Sequence, residues 1–276
     1  MACFRLEAAA LLVLLGVMLE CEAKSVRVST RPDARNGNAS IGRHLCSYDP
    51  KQGGSLAMKL ALYAHPFSSY CQKVLIALYE HGLPFELKML GPDTPANFGE
   101  LARIWPLQRF PVLVDDGRSL MEASVIIEHI DLHHAGSARL LPADARLALD
   151  IRFMDRFFDN YIMTPMQRIV ADAMRAADKR DAQTVVEART LLDTAYTWLN
   201  ARMAGREWAS GDALSLADCA AAPSLFYADW AHPIDARLAH VRAYRSRLLS
   251  RPSIARVVDE ARPYRKLFPL GAPDRD

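Results

Sequence analysis

The stretch HPFSSYCQKVLIALYEHG, residues 65–82, decides how the chain reads. His65-Pro66 turns the backbone. Ser68 or Ser69 can cap a helix running to about residue 81. Cys71, Val74, Leu75 and Leu78 stand at i, i+3, i+4 and i+7, so they share one buried face. Gly82 ends the helix and Pro84 confirms the stop. The helix opens with the shape of a redox motif, but its spacing is Ser-x-x-Cys, from Ser68 to Cys71. A Cys-x-x-Cys pair here would read as a thiol–disulfide site. With a hydroxyl in the exposed position, dithiol chemistry is not expected, and Cys71 reads as a buried, inert thiol.

Working outward, residues 59–63 (KLALY) form a short apolar strand and residues 85–89 (FELKM) alternate like a second. With the helix between them they make a β–α–β unit with a parallel pair. A Pro- and Gly-bearing stretch over 91–95 leads to a short helix at 98–104. PVLV at 111–114 reads as a buried strand, Asp116-Gly117 as a hairpin turn, and 118–120 as the return strand. Residues 122–133 are helical, with Val125, Ile126, Ile127 and Ile130 apolar. The order β-α-β-α-β-β-α is that of an α/β thioredoxin-like domain, here over residues 58–138. Leu140-Leu141-Pro142 reads as a linker. Amphipathic helices are expected at 144–176, 182–203, 216–230, 236–249 and 252–261 with no strand pattern between them, so residues 143–267 read as an all-α helical bundle domain. Ser215 and Asp218 form a capping box with a structural role.

Composition sets outer limits. The chain of 276 residues is 51% hydrophobic and 24% charged with a net charge of +2, ordinary for a globular protein of two domains. Arg242, Arg245, Arg247, Arg251 and Arg256 gather near the C-terminus, but their spacing fits a solvated helical face, and no nucleic-acid module is recognisable. The five cysteines are odd in number, and only Cys71 and Cys219 fall where the pattern is folded. That is no disulfide framework and points to a reducing, cytoplasmic setting. Residues 1–57 show no helical or strand period beyond an apolar run at 8–18, too short to span a bilayer. Two readings stand. The run, with Arg5 before it and Cys21-Glu22-Ala23 after it, is signal-like and would imply export. Alternatively, translation starts at Met58, where the folded pattern begins abruptly and where codons for Gly53-Gly54 can hold a ribosome-binding sequence. Disorder fits the composition of the rest. No membrane span and no metal site are expected; His133-His134 read as solvated.

Four segments in order, FSSYCQKV, RFPVLVDDG, LMEASVIIEHI and GDALSLADCA, resemble a bacterial glutathione S-transferase of the Ser/Cys type. The resemblance runs from Met58 to about Leu267. It implies a thioredoxin-like glutathione-binding domain followed by a helical domain, glutathione as co-substrate with no bound cofactor, a two-fold homodimer, and conjugation of an apolar electrophile in detoxification. Other glutathione-dependent reactions (isomerisation, peroxide reduction, dehalogenation) and a non-catalytic interaction protein of the same fold are the alternatives.

The resemblance also implies a site. Ser68 takes the catalytic position, with Ser69 as its competitor; the hydroxyl and the helix N-terminus would favour a thiolate brought by the substrate. Tyr70 lies inside the first turn and is given no role. Phe110 and Pro111, joined in the family by a cis bond, would meet the cysteinyl backbone of glutathione; Arg109 beside them can pair with a glutathione carboxylate or simply be solvated. Glu122 matches the family's acid for the γ-glutamyl ammonium. Ala123 stands where the family has Ser, so Ser124 or the helix N–H groups would take over the carboxylate. Phe157, Phe158, Tyr161, Met163 and Met166 are mostly core, with one or two of them expected on the electrophile's side.

Overall fold

A computed structural model describes residues 60–134, 136 and 139–276. The expectations placed on residues 1–57 and on Met58 therefore lie outside the described residues.

Four short strands form one mixed sheet in the order β2-β1-β3-β4. β1 (Leu60–Ala64) pairs parallel with β2 (Glu86–Met89) and antiparallel with β3 (Val112–Asp115). β4 (Arg118–Met121) returns from the Asp116-Gly117 turn, where both residues take positive φ. Leu62, Val112 and Leu113 are fully buried at the centre of the sheet. Helix α1 (Ser69–Glu80) crosses between the parallel strands, α2 (Pro95–Ile104) follows β2, and α3 (Ala123–His133) closes this part. α2 begins three residues before the expected point because Pro95 is pre-set for a first helical turn.

The rest of the chain is helical: α4 (Ala145–Phe157), α5 (Thr164–Ala173), α6 (Ala182–Arg202), α7 (Leu216–Ala231), α8 (Ala239–Ser250), α9 (Pro252–Ala261) and a 3₁₀ segment at Arg262–Leu267. Every residue of α7 is buried, as expected of a helix that is apolar all round. It packs against α1 on one side and against α4 and α8 on others. Its capping box is present: Asp218 accepts from Ser215 N at 2.9 Å and Ser215 Oγ at 2.8 Å. The same carboxylate accepts from Ala209 N at 3.0 Å and Tyr244 Oη at 2.5 Å, so it joins the preceding loop and α8 to the helix start. Among the described residues no helix is long and apolar enough to cross a membrane.

One expectation is corrected. Residues 144–176 are not a single α-helix; a π-turn at Phe158–Met163 separates α4 from α5. The cause is Pro165, which has no N–H to offer the Tyr161 carbonyl four residues back. The chain widens instead, and the Thr164 N–H bonds to the carbonyl of Asp159, five residues back.

Polar side chains join the sheet to the helices. Tyr227 on α7 donates to the Phe67 carbonyl at 3.0 Å and accepts from Gln72 Nε2 at 2.9 Å. Arg251 and Ser253 both bond Glu80 at the end of α1.

Candidate active site

A cavity of about 260 Å³ opens where α1, α3 and the α4–π-turn segment meet. Six residues expected from the sequence lie on it: Arg109, Phe110, Pro111, Glu122, Ala123 and Ser124. The Phe110–Pro111 peptide is cis. Glu122 precedes α3 with φ +69, a left-handed backbone held by a non-glycine residue. Such conformations cost about 1–3 kcal/mol and persist where the surroundings impose them, often at functional sites.

The serines are placed differently from expectation. Ser68 is 1% exposed and Ser69 3%, and neither lines the cavity. Ser68 is the residue before α1, with an extended backbone, and its hydroxyl sits beside the Cys71 thiol, inside the fold. The expected exposed hydroxyl at the helix mouth is thus turned inward. Burial pushes the Cys71 thiol up to about 12, with the Ser68 hydroxyl and the His65 backbone only partly opposing it, so Cys71 is inert as expected. Two positions on, Tyr70, half-buried in the first turn of α1, does line the cavity. Burial raises its pKa, and the neighbouring Asp159 carboxylate adds to that while Arg156 opposes it, so Tyr70 stays a protonated donor at neutral pH.

The Ser124 hydroxyl is committed within the chain. Its hydroxyl donates to Asp155 Oδ2 at 2.8 Å and accepts from Lys73 Nζ at 2.9 Å and from Arg156. One donor and two lone pairs are the whole capacity of a hydroxyl. The Ser124 hydroxyl is therefore occupied by a buried charge network.

That network borders the cavity through Ser124, Arg156 and Asp159. Lys73, 1% exposed on α1, ion-pairs with Asp155 and, at 3.0 Å, with Asp159. With Ser124 its three N–H donors are all used. Arg156 caps the same two carboxylates from the solvent side, at 2.6 and 2.7 Å. Burial pushes both carboxyls up. For Asp155 the Lys73 ammonium and Arg156 outweigh it and hold the group below the usual range; for Asp159 they do not, and the Asp155 charge adds to the rise.

Sequence reading missed Tyr70, Trp105, Met121, Arg156, Asp159 and Asn160 on the cavity wall. Of the aromatic and methionine cluster, read as mostly core with one or two members on the electrophile's side, none is on that wall. Phe157, Phe158, Met163 and Met166 are core, and Tyr161 is 47% exposed elsewhere. Two signals were available: Lys73 beside an apolar helix stripe, which demands buried acidic partners, and Pro165 inside a helical pattern, which re-aims the turn carrying Asp159 and Asn160. His65 lies close by but is occupied: its Nδ1 accepts from Phe67 N at 3.1 Å, its ring packs edge-on to Tyr264 at 4.5 Å, and burial lowers its pKa to about 4.

Comparison with known proteins agrees with this architecture. Residues 62–138 match the glutathione S-transferase N-terminal domain family and residues 168–247 the C-terminal domain family. A glutathione S-transferase-like protein of Fusarium is 31% identical over 169 residues, 59% of this chain and 74% of that protein. Glutathione S-transferase U10 of Arabidopsis thaliana is 30% identical over 132 residues, where the chain spans 54% of that protein's length. The crystal structure of a Methylobacterium radiotolerans glutathione S-transferase in complex with glutathione sulfonate superposes with a TM-score of 0.63 at 30% identity, covering 72% of this chain and 94% of that one. The chain belongs to the glutathione S-transferase family.

Proposed function

We propose that the protein is a glutathione transferase whose thiol substrate binds in the 260 Å³ cavity. The observation that carries this is the convergence on one wall of Phe110–Pro111, of Glu122 held at φ +69, and of the open N-terminus of α3. The Glu122 carboxylate pairs with the γ-glutamyl ammonium. The N–H groups of the first turn of α3, Ala123 and Ser124 included, take the adjacent carboxylate, so the lost family serine is replaced by backbone. Phe110 meets the cysteinyl backbone and Arg109 the glycyl carboxylate. A relative of the same fold holding glutathione sulfonate supports this placement.

The thiol then lies at the head of α1. An ordinary thiol has a pKa near 8.5, and lowering it by two units takes about 2.7 kcal/mol. The helix terminus and one charge-assisted hydrogen bond supply that much. Tyr70 is the donor that faces the cavity; Ser68 shapes the turn behind it. Attack by the thiolate on a bound electrophile gives the thioether, with proximity and thiolate stabilisation as the source of rate. The wall opposite α1 is mixed, with Trp105 and Met121 alongside Arg156 and Asn160. It suits an electrophile with both an apolar body and a polar group better than a wholly apolar one. The free, buried Cys71 and Cys219 fit a reducing compartment, and we place the reaction in the cytoplasm.

The test is calorimetric titration with glutathione and with glutathione sulfonate, followed by a panel of aryl halide, epoxide, enone and peroxide substrates. Binding lost in Glu122→Ala supports the site. No binding to glutathione at millimolar concentration would move the chain to the non-catalytic interaction proteins of this fold.

A further inference from the structure

We propose that Asp115, His129 and His134 form a binding site for a divalent transition-metal ion of the zinc type. Asp115 ends β3, His129 lies in α3, and His134 follows the last residue of that helix. His129 Nε2 is 2.7 Å and His134 Nε2 2.6 Å from Asp115 Oδ2. The three donor atoms lie within 4.8 Å of one another. Their side chains are 8–11% exposed, so the cluster is held under the surface rather than waving above it. None of the three lines the glutathione-sized cavity.

Two imidazole nitrogens and one carboxylate oxygen are the donor types zinc takes, and three protein ligands leave a position for water or a fourth side chain. His133 neighbours the cluster, its ring 4.5 Å from that of His129. A tetrahedral shell with bonds of about 2.0–2.1 Å spaces neighbouring donors roughly 3.3 Å apart, so each present contact opens by about 0.7 Å on binding. A small rotation of the Asp115 carboxylate provides that. Without an ion, both Nε2 atoms donate to one oxygen; with it, both present lone pairs and carry their protons on Nδ1. The ion would join the tip of the β3–β4 hairpin to the end of α3, just before the chain leaves for the helical part. Its role would be to fasten the fold, not to act on the thiol.

The experiment uses the full chain without an affinity tag, stripped with chelator and titrated with Co²⁺ alone, no thiol present. One equivalent should bind with the visible bands of nitrogen and oxygen ligation, and the Tm should rise by a few degrees at about a hundredfold excess over Kd. His134→Gln and Asp115→Asn should each weaken binding by more than the 10–100-fold that even an outer-shell partner costs. His133→Gln should weaken it less or leave it intact. Absence of a bound equivalent overturns the proposal. So does a cobalt spectrum unchanged in both variants, or one dominated by thiolate charge transfer, which would put the ion on cysteines. If the variants fail to fold, X-ray absorption of the cobalt-loaded wild-type chain decides: fewer than two imidazoles in the first shell is a negative result. Glutathione binding plays no part in any readout, so failure here leaves the proposed function untouched.

Discussion

Tyr70 and Ser68 sit two positions apart, and the fold gives them opposite environments. Ser68 faces Cys71 in the interior, and Tyr70 faces the cavity. Tyr70→Phe should therefore lose one charge-assisted hydrogen bond to the thiolate, about 1.5–3 kcal/mol, or roughly ten- to a hundredfold in kcat/KM at neutral pH. Ser68→Ala should cost less than about threefold. Thiolate absorbance against pH, measured with bound glutathione, reads the cause directly: the midpoint should rise in Tyr70→Phe only. A large loss in Ser68→Ala with a silent Tyr70→Phe would return the role to the serine. His65 gives a second residue-level outcome. Its folded pKa, lowered to about 4 from the ordinary 6.5, means the unfolded chain binds a proton in that window and the native chain does not. The contribution is complete above pH 6.5 and is lost as pH falls through about 4, some 3 kcal/mol in all by linkage. His65→Asn keeps an acceptor for Phe67 N and removes the proton site. Urea midpoints at pH 7 and 5 should differ less in this variant than in the wild type.

At the scale of elements, the Lys73 network is where stability and site geometry coincide. Lys73→Met leaves Asp155 and Asp159 buried without their main counter-charge, which should cost about 3–5 kcal/mol. Thermal unfolding checks it; a loss below 1 kcal/mol would mean that Arg156 alone neutralises the pair. The elements themselves were largely legible. Cys71, Val74, Leu75 and Leu78 mark the buried stripe of α1, Asp116-Gly117 marks the hairpin, and the Ser215–Asp218 box marks the start of α7. What was illegible depends on contacts between distant segments. Which hydroxyl of Ser68-Ser69-Tyr70 reaches the cavity follows from the rotation of α1 against α3 and α7, and no local pattern encodes it. Ser124 read as a ligand contact because its claimants, Lys73 and Arg156, lie 51 and 32 residues away. Glu122, Phe110 and Arg109 were singled out only beside a family resemblance; composition and spacing alone would not have picked them.

For the whole molecule, exposed apolar side chains on α3 and α4 bear on assembly. Val125 and Leu132 on α3 are 53% and 68% exposed, and Leu149 and Phe153 on α4 are 68% and 47% exposed. The two helices are joined by the bidentate Arg152–Glu128 pair. Four large apolar side chains bared on adjacent helices fit an isologous interface. We expect a dimer by light scattering at micromolar concentration. Leu132→Glu with Leu149→Glu should yield a folded monomer, since neither side chain supports the core of its own chain. A wild-type monomer, or a double variant that stays dimeric, would place the interface elsewhere or remove it.

The π-turn ahead of Pro165 has a consequence for how this protein can change. An extra residue in a helix resets the rotational phase of everything after it. The two sides are thus set independently: Arg156 on α4 and Asp159 in the turn line the cavity, while α5 keeps Met166, Ile169 and Val170 in the core. Substitutions before the turn can alter what the pocket accepts without reopening the packing behind it. Deleting one residue, the exposed Tyr161 for instance, would couple the two halves again and swing one face by about 100°. Variation in what the pocket accepts has its least constrained route through Asn160, the exposed cavity residue of the segment just ahead of that proline.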